Sequence, residues 1–138
     1  MPSNALSPAT RLVLVNAIYF KGNWLQKFNK ESTIKEDFTL ADGSKQKVDM
    51  MRLVNKKWKA QNLEELNAQV CEFPYAGEKV SMTIILPHVG VKLEDVESKL
   101  NGGLIKEIFN KGYKQEINVF IPKFKLEYSQ EVNLILVL

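Results

Sequence analysis

The sequence predicts a mixed α+β fold built on several sheets, and three observations carry that prediction. Period-2 apolar runs come in pairs around loop residues, at Asp42-Gly43 and at Ala76 to Lys79. Residues 92–111 repeat instead at helical spacing, in two short pieces. One run, Leu12–Phe20, is apolar on both alternating faces, as in a strand covered on both sides.

Composition bounds the reading. The length of 138 residues suggests one domain over 1–138. Hydrophobic residues at 45% and charged residues at 25% exclude a disordered, collagenous or coiled-coil chain. No apolar run approaches the ~18 residues that span a bilayer. The net charge of +3, from 19 basic and 16 acidic residues, is too mild to argue for nucleic acid or a membrane as partner. The lone Cys71 forms no internal disulfide.

The elements follow in chain order. Leu12–Phe20 (LVLVNAIYF) carries one amide, Asn16, which needs hydrogen-bond partners in neighbouring layers. Lys21-Gly22-Asn23 ends that strand. Thr33–Leu40 alternates, turns at Asp42-Gly43, and returns through Val48, Met50 and Met51. Lys56–Ala60 reads as a separate polar strand centred on Trp58, and Leu63–Asn67 is ambiguous. Gln69–Tyr75 pairs with Val80–Leu86, so that Tyr75 faces Val80, Phe73 faces Met82 and Cys71 faces Ile84 on a single apolar face. A first helix holds Leu93, Val96 and Leu100 and stops at Asn101-Gly102-Gly103. A second holds Leu104, Ile105, Ile108 and Phe109. Gln115–Ile121 and Lys123–Tyr128 are strands around Pro122. The apolar run Val132–Leu138 ends without punctuation.

No catalytic constellation emerges. The register of the hairpin leaves Cys71 about 13 Å from His88, at ~3.3 Å per residue along the strand, too far for a thiol–imidazole pair. One His and one Cys supply no tetrahedral metal set, and no acidic run has calcium-loop spacing. Glu64-Glu65 and Glu94-Asp95 lie in polar stretches where nothing desolvates them. Two basic groups remain: Lys56, Lys57 and Lys59 around Trp58, and Lys106, Lys111 and Lys114. They are candidate polyanion contacts, a glycosaminoglycan being the ligand in view; a solvated strand edge and a helix C-terminal cation are the plainer explanations.

Four segments resemble one family, in order along the chain. Thr10–Trp24 (TRLVLVNAIYFKGNW) is similar to the third strand of sheet A in the serpins, the serine protease inhibitor superfamily. The DG turn with Lys47–Met51 (KVDMM), Phe73–Pro87 (FPYAGEKVSMTIILP) and Ile121–Ser129 (IPKFKLEYS) follow as they do in that family. The resemblance runs from about Ser7 to Leu138.

It implies an incomplete serpin-like fold, truncated at both ends. Thr10–Phe20 and Lys123–Ser129 would lie in sheet A, Thr33–Val54 and Gln115–Ile121 in sheet C, and residues 56–86 in sheet B, with helices G and H over 92–111. The family's reactive loop would follow Leu138, so no reactive bond is assigned within this sequence. Asn16 matches the asparagine of the "shutter", where sheet A opens, and Trp24 the tryptophan of the "breach", where loop insertion begins. The resemblance further implies a parent that traps serine proteases as a suicide substrate, in the extracellular space or alternatively the cytoplasm, without a cofactor. A non-inhibitory carrier, storage or chaperone relative and a polyanion-binding module are the competing readings. The isolated chain is expected to be inactive and prone to self-association.

Overall fold

The computed structural model describes residues 22–124. The strand expected over Leu12–Phe20, with Asn16, lies outside them. So does all but the first two residues of the strand expected over Lys123–Tyr128.

Five antiparallel strands form one sheet. Strand β1 (Ile34–Thr39) turns through Asp42-Gly43 into β2 (Lys45–Leu63). Gly43 takes φ 83°, and the Asp42 carboxylate accepts from both the amide and the hydroxyl of Ser44, which fixes the turn. Strands β3 (Ala68–Pro74) and β4 (Ser81–Pro87) follow as a hairpin, and β5 (Tyr113–Pro122) lies against β2.

The long strand β2 organises the rest. The separate polar strand expected at Lys56–Ala60 is the second half of β2, a single element of 19 residues. No Gly or Pro interrupts Lys45–Leu63, so the chain has no reason to turn. A bulge between Leu53 and Lys56 bends it instead, with Asn55 at φ 54° and its amide bound to the Asn118 side chain at 2.9 Å. Along β2, Lys45–Met50 pair with β1, Met50–Ala60 with β5, and Lys59–Leu63 with β3. The strands assigned to two sheets, C and B, are therefore continuous through β2.

The β3–β4 hairpin has the predicted register, Cys71 opposite Ile84 and Phe73 opposite Met82. Its single apolar face is corrected to two. Ala68, Val70 and Ile85 are buried on one side, Phe73 and Ile84 on the other, while Val80 and Leu86 are half exposed. Alternate residues on both sides of the pleat are apolar because each side carries its own core.

Two short helices roof the first side. Helix α1 (Leu93–Lys99) ends before Leu100, and α2 (Gly102–Asn110) begins immediately afterwards. Asn101-Gly102-Gly103 thus starts the second helix rather than stopping the first. The Asn101 side chain accepts from the Leu104 amide at 3.0 Å, an N-cap whose benefit outweighs the poor helix propensity of two glycines in the first turn. The ambiguous Leu63–Asn67 segment is a 3-10 turn over Glu64–Leu66, ended by Asn67 in the left-handed region. It drives Leu66 into the core at 1% exposure.

Candidate functional site

The two sides of the sheet differ in chemistry. Under α1 and α2, Leu63, Leu66, Ala68, Val70, Ile85, Val96, Leu104 and Ile108 form an aliphatic core. On the opposite side Trp58, Phe73, Ile84, Val119 and Ile121 are buried, and Trp24, Phe28, Cys71, Met82 and Phe124 pack around them.

Trp24 stands at the rim of that second core. Its ring stacks on Tyr75 with centroids 4.4 Å apart and planes 15° from parallel, and it meets Phe73 edge-on at 6.1 Å. Phe73 in turn touches Trp58 at 4.9 Å. These offset and edge contacts are the favoured aromatic geometries. Tyr75, Trp24, Phe73 and Trp58 make one aromatic chain from rim to core. Partial burial pushes the Tyr75 phenol above its ordinary pKa.

Backbone bonds fix the segment that carries Trp24. Strands β2 and β3 stop pairing beyond Lys59–Glu72, and residues 23–26 fill the space where they part. Trp24 bridges to Tyr75, the Leu25 amide donates to the Pro74 carbonyl at 2.9 Å, and the Ala76 amide donates to the Asn23 carbonyl at 2.7 Å. The Gln26 side-chain amide donates to the Lys57 carbonyl at 2.9 Å. The segment behaves as a short strand seated in the opening of the sheet. Gly22 and Asn23 were readable as a break after a strand; their role as an entry into this gap was not.

The six candidate lysines do not form one patch. Lys56 lies on the aromatic side of β2, while Lys57 and Lys59 lie on the helix side, since neighbours on a strand point to opposite faces. Lys59 is engaged: its ammonium donates to the Phe109 carbonyl at 2.9 Å and pairs with Glu72 at 3.1 Å. Lys111, the residue just after α2, pairs with Glu107 on that helix, which raises its pKa. Lys114 pairs in register with Lys59, and Lys106 is exposed on α2. Burial alone would raise the Glu72 carboxyl; hydrogen bonds from Ser81 and Lys59 outweigh it and hold the group below the usual carboxylate range.

Neither sulfur nor imidazole forms a reactive pair. Cys71 faces Ile84, and burial, with the charge of Glu72 beside it, pushes its thiol up to about 12. The His88 ring, through Nε2, binds the Asn62 side-chain oxygen at 2.8 Å. Among the described residues no group of three His, Cys, Asp or Glu side chains is placed to hold a metal ion.

The family profile described as "Serpin (serine protease inhibitor)" matches residues 1–137. The chain belongs to the serpin family. A curated serpin relative, "Intracellular coagulation inhibitor 2" of Tachypleus tridentatus, is 43% identical over 127 residues, covering 92% of this chain and 31% of its own length. Human "Serpin I2" is 43% identical over 121 residues, covering 87% of this chain and 30% of its own. Among solved structures, the viral serpin CrmA superposes with a TM-score of 0.71 at 30% identity, covering 78% of this chain and 36% of that one. The chain therefore spans about a third of the length of the curated serpins it matches. The described sheet and its two helices are part of an incomplete serpin fold.

Proposed function

We propose that this serpin chain belongs to an inhibitor of serine proteases that works as a suicide substrate. The protease attacks an exposed loop, the loop enters sheet A as a strand, and the acyl-enzyme is trapped before hydrolysis. The observation that supports this most directly is the likeness, at 43% identity, to a serpin named as a coagulation inhibitor. A "Leukocyte elastase inhibitor" of Equus caballus, 41% identical over 129 residues, supports it again.

In this reading Trp24 is the breach residue. Its stack on Tyr75 and its seat in the gap between β2 and β3 suit a contact that must yield when a strand enters nearby. The same resemblance gives Asn16 the matching role at the shutter. The chain has no enzymatic activity of its own, its partner is a serine protease, and no cofactor is required. The 138 residues alone inhibit nothing in this reading, since the resemblance assigns none of them to the bait loop. They self-associate through strand edges, β4 being paired only with β3 among the described strands.

The resemblance favours the extracellular space. A cytoplasmic site is the second reading, favoured by the relative named an intracellular inhibitor. A non-inhibitory serpin role would show as a parent that is cleaved as an ordinary substrate without trapping the protease.

The test is a denaturing gel of the chain, and of a longer protein that contains it, after incubation with trypsin-, chymotrypsin- and elastase-like proteases. A band at the summed mass with the longer protein, and none with the 138 residues, is the expected pattern. Cleavage without that band would point to the non-inhibitory alternative.

A further inference from the structure

The part of the sheet beside the Trp24 segment also forms an open groove of about 390 Å³, on the helix side and beyond the end of α2. A cavity of that size is in the range that small organic ligands fill. Four lysines and two glutamates line it, a net charge of +2. One glutamate, Glu72, is already satisfied by Lys59 and Ser81. Among the described residues, the ammonium groups of Lys57, Lys79 and Lys114 have no hydrogen-bond or ion-pair partner. The unspent capacity of the groove is therefore mainly cationic, opposed by Glu78 in its lining and by Glu116, which stands opposite Lys57 across the β2–β5 pair.

The register orders these groups across the groove. Lys114, Lys59 and Glu72 stand in one row over β5, β2 and β3, and Pro74 faces Ser81 in the next row toward β4. The basic side thus lies at β5 and β2. The other side is lined by Pro74, by the half-exposed Leu25 and by Val80 at 51% exposure. Lys79, in the β3–β4 loop, adds its charge beside Val80.

We propose that this groove binds a small organic sulfate or phosphate ester. Its oxyanion would sit on the basic side, against Lys57 and Lys114, and its organic part would cover Leu25, Pro74 and Val80, with Lys79 at that far end. Lysine ammonium groups act as point charges, which suits a compact, highly charged oxyanion better than a planar bidentate carboxylate. An extended polyanion fits the positions less well: Lys56 lies on the other side of the sheet, and Lys59 and Lys111 are held in ion pairs. The binding is independent of protease inhibition.

The test titrates a longer protein that contains this chain by calorimetry with inorganic sulfate, inorganic phosphate, phenyl sulfate, phenyl phosphate and dextran sulfate at fixed ionic strength. The phenyl esters bind at one site per chain and more tightly than the inorganic ions. The double variant Lys57→Gln, Lys114→Gln weakens them by about tenfold or more, as expected for two lost charge-assisted contacts. Lys106→Gln, outside the groove, leaves them unchanged, and Val80→Ser weakens the esters but not the inorganic ions. Three results overturn the proposal: esters no tighter than inorganic anions, an unaffected double variant, or equal loss with Lys106→Gln. Dextran sulfate binding that is lost with Lys56→Gln and Lys106→Gln, and kept in the double variant, assigns the charge to a polymer track and also overturns it.

Discussion

On one side of the sheet the core is aliphatic and lies under two helices from the same stretch of chain; on the other it is aromatic and edged by segments that join the sheet from farther away. The first side is closed by local sequence. Helix α1 follows β4 after a short loop, and its Val96 is fully buried. Gln61 and Lys59 donate from β2 to the last carbonyls of α2, at Ile108 and Phe109, which seats that helix. The second side holds Trp58, Phe73 and the adaptable Met82 and Cys71, with half-buried Trp24 at its edge. Aliphatic packing under helices suits a part that stays fixed. Flat rings that stack at a half-exposed rim make fewer contacts and suit the breach role proposed for Trp24.

Truncating each core tests that contrast, and the largest losses come first. Trp58→Ala should cost about 3–5 kcal/mol and Leu66→Ala about 2–5 kcal/mol, both residues being almost wholly buried. Trp58→Phe should cost far less, because the indole N–H is buried with no acceptor among the described residues and its removal leaves nothing unpaired. Urea unfolding of the three variants measures this. A Leu66→Ala loss much below the Trp58→Ala loss would show that the aliphatic side is the softer one.

Trp24→Ala should do less to stability, about 1–2 kcal/mol, since the ring is only half buried and its stacking contributes about 0.5–1.5 kcal/mol. Its effect should appear in conformational control. In a longer protein containing this chain, the variant should convert faster to polymeric or loop-inserted forms on mild heating, and Trp24→Phe should restore much of the original rate. Unchanged rates would make Trp24 an ordinary packing residue.

Cys71 reports on the aromatic side without altering its shape. Its folded pKa of about 12 is raised above the ordinary value of 9.0 by burial. The stability linked to it is therefore fully present below pH 9 and is lost as pH rises toward 12. At pH 8 the thiol should resist iodoacetamide until denaturant opens the core. Rapid alkylation of the folded chain would show that this side opens on its own.

How much of this was legible in the sequence depended on whether the signal was local. The β3–β4 register and the Asp42-Gly43 turn were readable because alternation and turn chemistry act over a few residues. The length of β2 was not, because Lys56, Lys57 and Lys59 look like a polar interruption until pairing with β5 accounts for them. Trp58 looked like the centre of a polar strand, yet it is buried at 3% exposure because the strand's other face meets Phe73. The gap that receives Trp24, and the groove beside it, arise where two strands diverge, and no periodicity announces a divergence. Lys79 was not legible for the same reason: it sits in a hairpin loop, and only the fold puts it in the lining of a groove with Lys57 and Lys114.

The smallest expected effect lies in that loop. Glu78 has φ 54°, next to Gly77 at φ 90°, and its amide donates to the Tyr75 carbonyl at 2.9 Å. Three non-glycine residues among those described have positive φ, and the other two, Asn55 and Asn67, are the type whose short polar side chain tolerates that region. Glu78 is the exception. Glu78→Asn should therefore stabilise the chain by about 0.5 kcal/mol through relief of backbone strain. Glu78→Gly should gain less, because glycine adds freedom to the unfolded chain that offsets the relief. Urea midpoints at unchanged m-values measure both. An unchanged or lower midpoint for Glu78→Asn would show that the glutamate side chain contributes more to this loop than its backbone conformation costs.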